Sequence, residues 1–113
     1  MEKIVEQGLL YDFYGELLTD HQRHVYEDVV FNDMSLSEIA EEQGISRQGV
    51  HDLIKRCDRI LAGYEEKLRM VEKFNQTKRM VDEITTLAGT YKKNGDMSLI
   101  DRIEAISEEI GQL

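Results

Sequence analysis

The sequence predicts an all-α protein, and three observations support that fold class. Its 113 residues contain no proline, so no pyrrolidine ring interrupts a helix. Apolar residues recur three and four positions apart along most of the chain, which is the spacing of a single helix face. Leu, Ile, Glu, Lys and Met together outnumber the residues that favour strands. We therefore expect an almost wholly helical chain.

Two helices are predicted before the middle of the chain. Paired apolar residues between Leu9 and Leu18 repeat every four positions, which lays one apolar stripe along a helix that ends near Leu18. Thr19 stands three residues before Gln22, the spacing of a capping box. A second helix is therefore expected to begin after Thr19 and to run until the stretch "FND" interrupts its period.

The stretch "LSEIAEEQGISRQGVHDLIKRC" predicts two further helices joined by a glycine turn. Ser35 and Glu38 have the spacing of a second capping box, so the third helix is expected to begin directly after Ser35. Gly44 is expected to end it, because glycine adopts positive φ without strain. Ser46 is a suitable cap for a fourth helix that begins at Arg47.

The packing between the third and fourth helices has the pattern of a helix-turn-helix. Ala40, four residues before the glycine, lets the two helices cross closely, and Val50 fills the crossing. Cys57 is the single cysteine, which excludes an internal disulfide and a thiolate zinc site within one chain. It is expected to be a small buried apolar residue. The remaining members of the buried stripe are Leu53, Ile54, Ile60 and Leu61.

A helical arm is predicted to follow the helix-turn-helix domain, with the domain at residues 1–62 and the arm at residues 63–113. Gly63 is expected to bend or end the fourth helix. A charged helix from Tyr64 to Tyr91 and a last helix from Met97 to Ile110 each carry a narrow apolar stripe. Such stripes need a cover, so we expect the arm to form a homodimer, with folding back within one chain as the open alternative.

Charge is distributed unevenly along the chain, whose net charge is −9. Residues 1–45 hold two bases against eleven acids, whereas residues 46–113 hold twelve of each. Within the second part, residues 46–93 carry eleven bases against seven acids. Because phosphates are repelled by the acidic half, any contact with a nucleic acid is expected to begin at Ser46 or later.

The stretch "LLTDHQRHVYEDVVFNDMSLSEIAEEQGISRQGVHDLIKRCDRIL" resembles region four of the bacterial sigma factors, which reads the −35 promoter element. The whole chain further resembles the small YlxM-like (p13-like) proteins of Gram-positive bacteria. This resemblance implies a sigma-region-four-like helix-turn-helix bundle with a C-terminal helical arm. The family's genes typically neighbour that of the GTPase protein of the signal recognition particle, which implies a link to that secretion pathway.

The face of the fourth helix opposite Val50 is the predicted nucleic-acid interface, given a turn of about 100° per residue. There Gln48 can pair with adenine, Lys55 can approach guanine, and Arg47 can hold a phosphate at the helix start. Asp52 opposes this reading, because it places a carboxylate in the middle of the face. The predicted nucleic-acid-binding residues are Ser46, Arg47, Gln48, His51, Lys55, Arg56 and Arg59.

The sequence therefore predicts a non-enzymatic regulatory protein that binds duplex DNA, or RNA, through this helix. The alternative is a protein- or RNA-interaction module of the signal recognition particle pathway, in which the acidic N-terminal half docks a basic partner such as the particle's GTPase protein. The two differ in which half of the chain carries the contact.

Other kinds of site lack the residues they need. His21 and His24 lie three apart beside acids on the second helix, but the sequence does not identify a third ligand, so no metal is predicted. A glycine-rich phosphate loop, paired catalytic carboxylates and a dinucleotide fingerprint are absent, so neither catalysis nor a cofactor is expected. With no long apolar run and no signal-like start, we expect a cytoplasmic protein without membrane contact.

Overall fold

The computed structural model describes residues 2–113, and this range is all-α, as predicted. It divides into two compact units, the first ending at Val71 and the second spanning Glu72–Leu113. A short 3₁₀ turn at Gly15–Leu17 follows the first helix. The helices are α1 (Lys3–Tyr14), α2 (Asp20–Val30), α3 (Leu36–Gln43), α4 (Arg47–Leu68), α5 (Met70–Asn94) and α6 (Met97–Gly111).

Both predicted capping boxes are present. The Thr19 hydroxyl accepts the Gln22 N–H at 3.2 Å, and the Gln22 side-chain oxygen accepts the Thr19 N–H at 3.0 Å. Ser35 and Glu38 exchange the same two hydrogen bonds at 3.1 and 3.3 Å. Each box satisfies N–H groups that a helix start otherwise leaves without a partner, so α2 and α3 begin where the sequence predicts.

The turn between α3 and α4 depends on Gly44. Its φ of 67° and ψ of 30° lie in the left-handed region, which costs a residue with a Cβ atom about 1–2 kcal/mol. The Gly44 N–H donates to the Ala40 carbonyl, and the Ile45 N–H donates to the same oxygen at 3.1 Å. These bonds close α3 and redirect the chain into α4, so the predicted role of Gly44 is confirmed.

One hydrophobic core is shared by the helices α1, α2, α3 and α4 and by the start of α5. Ile39 of α3 and Val50 of α4 are both fully buried, which confirms the predicted helix crossing. Burying such a side chain contributes about 1.5–3 kcal/mol. Cys57 is also fully buried, and burial raises the pKa of its thiol to about 11. The core comprises Tyr14, Leu18, Val25, Tyr26, Ile39, Ala40, Val50, Ile54, Cys57, Leu61 and Val71.

Asp58 of α4 ties two other helices to the core. Its Oδ1 accepts the Tyr26 hydroxyl of α2 at 2.6 Å and the Gln7 amide of α1 at 3.0 Å. Burial, with the hydrogen bond to Asp58 as the second cause, raises the pKa of Tyr26 well above its ordinary value. Asp58 is therefore held by α1 and α2, and it also lines the depression that contains Lys55 and Arg59.

Gly63 was predicted to bend or end the fourth helix, and it does not end it, because α4 continues through Gly63 to Leu68. The helix ends where Arg69 adopts a left-handed φ of 54° and donates its N–H to the Glu65 carbonyl at 2.8 Å. Tyr64, one residue past the glycine, packs against the core. Packing on both sides of Gly63 thus outweighs its low helix propensity.

The start of α5 is bonded to the first unit through Tyr14. The Met70 N–H donates to the Tyr14 hydroxyl at 3.1 Å, and the Val71 N–H donates to Glu65 Oε1 at 3.0 Å. Tyr14 in turn donates to Glu65 at 2.6 Å. These contacts hold Met70 and Val71 in the first unit, which ends at Val71.

The second unit is an antiparallel pair made of α6 and most of α5. Gly95, with a φ of 66°, lies in the predicted turn, and Asp96 caps α6 by accepting the Ser98 N–H at 3.0 Å. Arg102 of α6 contacts Glu83 of α5 at 3.0 Å, and Ile106 is 1% exposed. Part of the apolar stripe is therefore covered within one chain.

Among residues 2–113, no helix combines the length and the apolar composition that crossing a membrane requires.

Substitution at Gly44 tests the turn. Gly44→Ala is expected to lower the free energy of unfolding by about 1 kcal/mol, because the new Cβ meets no atom within 4 Å and the cost is backbone strain alone. Gly63→Ala is the matched control, since Gly63 lies inside α4 and the same change there adds about 0.5–1 kcal/mol. Urea denaturation measures both. Shifts of equal sign would contradict the role given to Gly44.

Candidate nucleic-acid interface

The start of α4 is a capped helix terminus, and such termini can bind an anion. Ser46 is extended, with φ −74° and ψ 156°, and its hydroxyl accepts the Gly49 N–H at 2.9 Å. That bond uses one of the N–H groups that a helix start directs outward along its axis. No acidic residue lies in the first turn of α4. The positive end of the helix dipole is therefore not neutralised by the helix's own side chains.

The structure places all seven predicted residues on the exposed side of α4. Over this face Arg47, Lys55, Arg56 and Arg59 supply four positive charges, and Asp52 supplies one negative charge. The predicted set, Ser46, Arg47, Gln48, His51, Lys55, Arg56 and Arg59, is exposed throughout. The face is therefore basic although the whole chain is acidic.

The predicted residues fall into two neighbouring groups. Arg47, Gln48 and His51 line a shallow depression of about 340 Å³ together with Leu36 of α3. The second group, Lys55 and Arg59, lines a depression of about 380 Å³ beside the α1 residues Lys3 and Glu6. At about 100° per residue, Arg56 lies on the far edge of the face from Arg47. The first group lies beside the turn between α3 and α4.

Asp52 contacts two residues of the first group. From the sequence alone, this carboxylate was expected only to repel phosphates. The Gln48 Nε2 donates to Asp52 Oδ1 at 3.0 Å, and His51 Nδ1 lies 3.7 Å from the same oxygen. The Gln48 oxygen and its second amide hydrogen are not used in that bond. The spacing of Gln48 and Asp52, four residues apart on a helix, is the pattern that could have revealed the pair.

A second cluster of polar side chains lies between α2 and α3. His24 Nε2 of α2 is 3.5 Å from Asp28 Oδ2 and 3.8 Å from Glu42 Oε1 of α3. Sequence reasoning found the histidine but not its partner on α3, because their proximity depends on how the two helices pack. His21, the other histidine considered, is exposed and is not part of this cluster.

Comparison with known proteins agrees with this geometry. A family profile, UPF0122, described as "Putative helix-turn-helix protein, YlxM / p13 like", matches residues 1–102. This chain belongs to that family. The predicted resemblance is thereby confirmed, and the description names a helix-turn-helix and no enzymatic activity.

Relatives match over nearly the whole chain. The UPF0122 protein of Thermoanaerobacter sp. (strain X514) is 42% identical over 106 residues, which is 93% of this chain and 91% of the relative. YlxM of Bacillus subtilis (strain 168) is 39% identical over 107 residues, covering 94% of this chain and 97% of the relative. The UPF0122 protein of Acetivibrio thermocellus is 42% identical and covers 97% of each chain.

Proposed function

We propose that this chain is a non-enzymatic regulatory protein that binds duplex DNA through the exposed face of α4. The observation that carries the proposal is the charge of that face, where four bases oppose one acid on the second helix of a helix-turn-helix. In this fold the second helix is the one that enters the major groove. Membership of a helix-turn-helix family supports the same function.

The predicted residues of α4 take three different roles in the proposal. Ser46 and Arg47 hold a phosphate at the helix start, where N–H groups and the helix dipole favour an anion. Gln48, His51 and Lys55 approach base edges, with Asp52 holding the Gln48 amide in one orientation. The basic residues further along the helix, Arg56 and Arg59, contact the phosphate backbone.

The proposed binding is weak and sensitive to salt. The four basic residues neutralise about four phosphates. A plot of the logarithm of affinity against the logarithm of salt concentration therefore has a slope of about −3 to −4. Residues 1–45 carry eleven acids against two bases and repel any phosphates that reach them. Selectivity for a DNA sequence therefore depends on the few contacts with nucleobase edges at the start of α4.

A protein- or RNA-interaction module is the second candidate, and the acidic surface of the N-terminal half supports docking of a basic partner. Glu38, Glu41 and Glu42 are all exposed on α3, so the acidic half presents a surface that suits a basic partner. The signal recognition particle's GTPase protein is the partner that the family resemblance suggests. Under this alternative, reversing charges on α4 leaves the protein or RNA partner bound. The main proposal requires that the same change abolish binding of duplex DNA.

Charge reversal on α4 tests DNA binding. Lys55→Glu with Arg59→Glu is expected to weaken binding of a labelled mixed-sequence duplex by on the order of tenfold or more at low salt, because two attractive charges become repulsive. Asp52→Asn is expected to strengthen it several-fold, since it removes a negative charge and leaves an oxygen that can accept from Gln48. Fluorescence anisotropy measures both changes.

The matched control is Lys92→Glu with Lys93→Glu, which makes the same charge change at exposed positions of α5. This variant is expected to bind like the unmodified chain apart from a small effect of net charge. If the α4 and α5 variants lose affinity equally, the exposed face of α4 is not the interface.

We further propose that the chain forms a homodimer through α5. Phe74 and Val81 lie seven residues apart on one helix face and are 41% and 47% exposed. Together with Thr77 and Lys78 they line a shallow depression of about 280 Å³. The Thr77 hydroxyl donates to the Lys73 carbonyl at 2.8 Å, so its polar atom needs no partner in an interface.

This face of α5 suits a second copy in antiparallel orientation. Pairing Phe74 with Val81 of the second copy places Lys73 opposite Asp82 of that copy, and the two-fold axis repeats both contacts. Opposite charges then flank the apolar pair on each side. The arrangement buries more of the apolar surface of Phe74 and Val81, which are 41% and 47% exposed in one chain.

Val81→Glu tests the dimer. The buried carboxylate would lie in the apolar contact, so the variant is expected to sediment as a monomer at concentrations where the unmodified chain sediments as a dimer. Met97→Glu is the control, because Met97 is 61% exposed in the same unit but on α6. A monomeric unmodified chain, or a Val81→Glu variant that stays dimeric with its helix content intact, would refute this interface.

A further inference from the structure

The cluster formed by His24, Asp28 and Glu42 has the chemistry of a divalent metal site. His24 and Asp28 are four residues apart on α2, so their side chains share one helix face. Glu42 is supplied by α3. One ligand atom from each residue lies within 4.8 Å of the other two. Imidazole nitrogens and carboxylate oxygens are both zinc ligands, and a site with three protein ligands leaves the fourth position to a water.

The separations between these atoms are close to those around a bound ion. Ligands at about 2.0–2.1 Å from a tetrahedral zinc lie about 3.3 Å from each other. His24 Nε2 is 3.5 Å from Asp28 Oδ2 and 3.8 Å from Glu42 Oε1. Small rotamer adjustments of the exposed His24 and Glu42 side chains would therefore close the coordination without moving the backbone.

The burial of Asp28 is an independent reason to expect a cation. Asp28 is 6% exposed, and among residues 2–113 it is the only buried residue that is polar or charged. Its Oδ1 accepts the Asn32 amide at 2.9 Å. Its Oδ2 lies 3.5 Å from His24 Nε2. A buried carboxylate is costly unless hydrogen bonds and a positive charge compensate it.

Asn32 supplies the support that metal ligands commonly have. Its amide donates to Asp28 Oδ1, which leaves Oδ2 beside His24. Hydrogen bonds of this kind fix the orientation of a ligand before the ion binds. The surrounding charge also favours a divalent ion, since two carboxylates and a neutral imidazole carry two negative charges.

We infer that His24, Asp28 and Glu42 bind one Zn²⁺ and thereby join α2 to α3. The ion fixes the first helix of the helix-turn-helix against the helix before it, so its effect is on stability and on the position of α3. The site is separate from the exposed face of α4, and the inference stands whether or not that face binds DNA.

Zinc titration of the untagged, chelator-treated chain tests the inference. Calorimetry with Zn²⁺ alone is expected to give one equivalent per chain, and saturation is expected to raise the melting temperature by several degrees. Substituting Co²⁺ is expected to give the visible absorption bands of a four-coordinate site, a readout that needs no variant. Uptake only at millimolar Zn²⁺, with no shift in melting temperature, would refute the site.

Two matched pairs of variants locate the ion. Glu42→Gln and His24→Ala are expected to weaken Zn²⁺ at least tenfold, whereas Glu41→Gln and His21→Ala, at neighbouring exposed positions, are expected to bind like the unmodified chain. Asn32→Ala is expected to weaken binding about tenfold through Asp28. If the ligand and control variants bind Zn²⁺ equally, the ion is held elsewhere. Circular dichroism confirms that each variant retains its helices.

Discussion

The packing of Val50 and Ile54 beneath α3 is the interaction on which the rest of the structure depends. Both side chains are at most 8% exposed, and Gly44 supplies the turn that lets α4 approach Ile39 and Ala40. Because successive residues of a helix are about 100° apart, burying this stripe directs the opposite stripe into solvent. The exposed basic face of α4 is thus a consequence of the core.

Acidic and basic residues are unevenly distributed along the chain, and this distribution leaves the exposed face of α4 basic. The acids of the first 45 residues outnumber the bases by nine, while the exposed face of α4 holds four bases and one acid. The other acid near that face, Asp58, is held by Tyr26 and Gln7. A partner with phosphates therefore meets attraction at α4 and repulsion over α2 and α3, which restricts the orientations in which it can dock.

Local patterns predicted the parts of the fold that local interactions determine. The capping boxes, the Gly44 turn and the stripe through Val50 and Cys57 all involve residues within about two helical turns of one another. The end of α4 was not predictable in this way, because Tyr14 and Glu65 are far apart in sequence and only the folded chain brings them together. The cluster of His24, Asp28 and Glu42 depends likewise on the packing of α2 against α3. Asp52 was read as repulsive, since charge alone does not show its bond to Gln48.

The most direct test of this account follows amide resonances of the ¹⁵N-labelled chain during titration with a short DNA duplex at low salt. The account predicts that the largest shifts lie between Ser46 and Arg59, with an alternation that follows the exposed stripe of α4. Shifts confined to α2 and α3, or an α4 whose amides do not respond while the duplex is bound elsewhere, would contradict it.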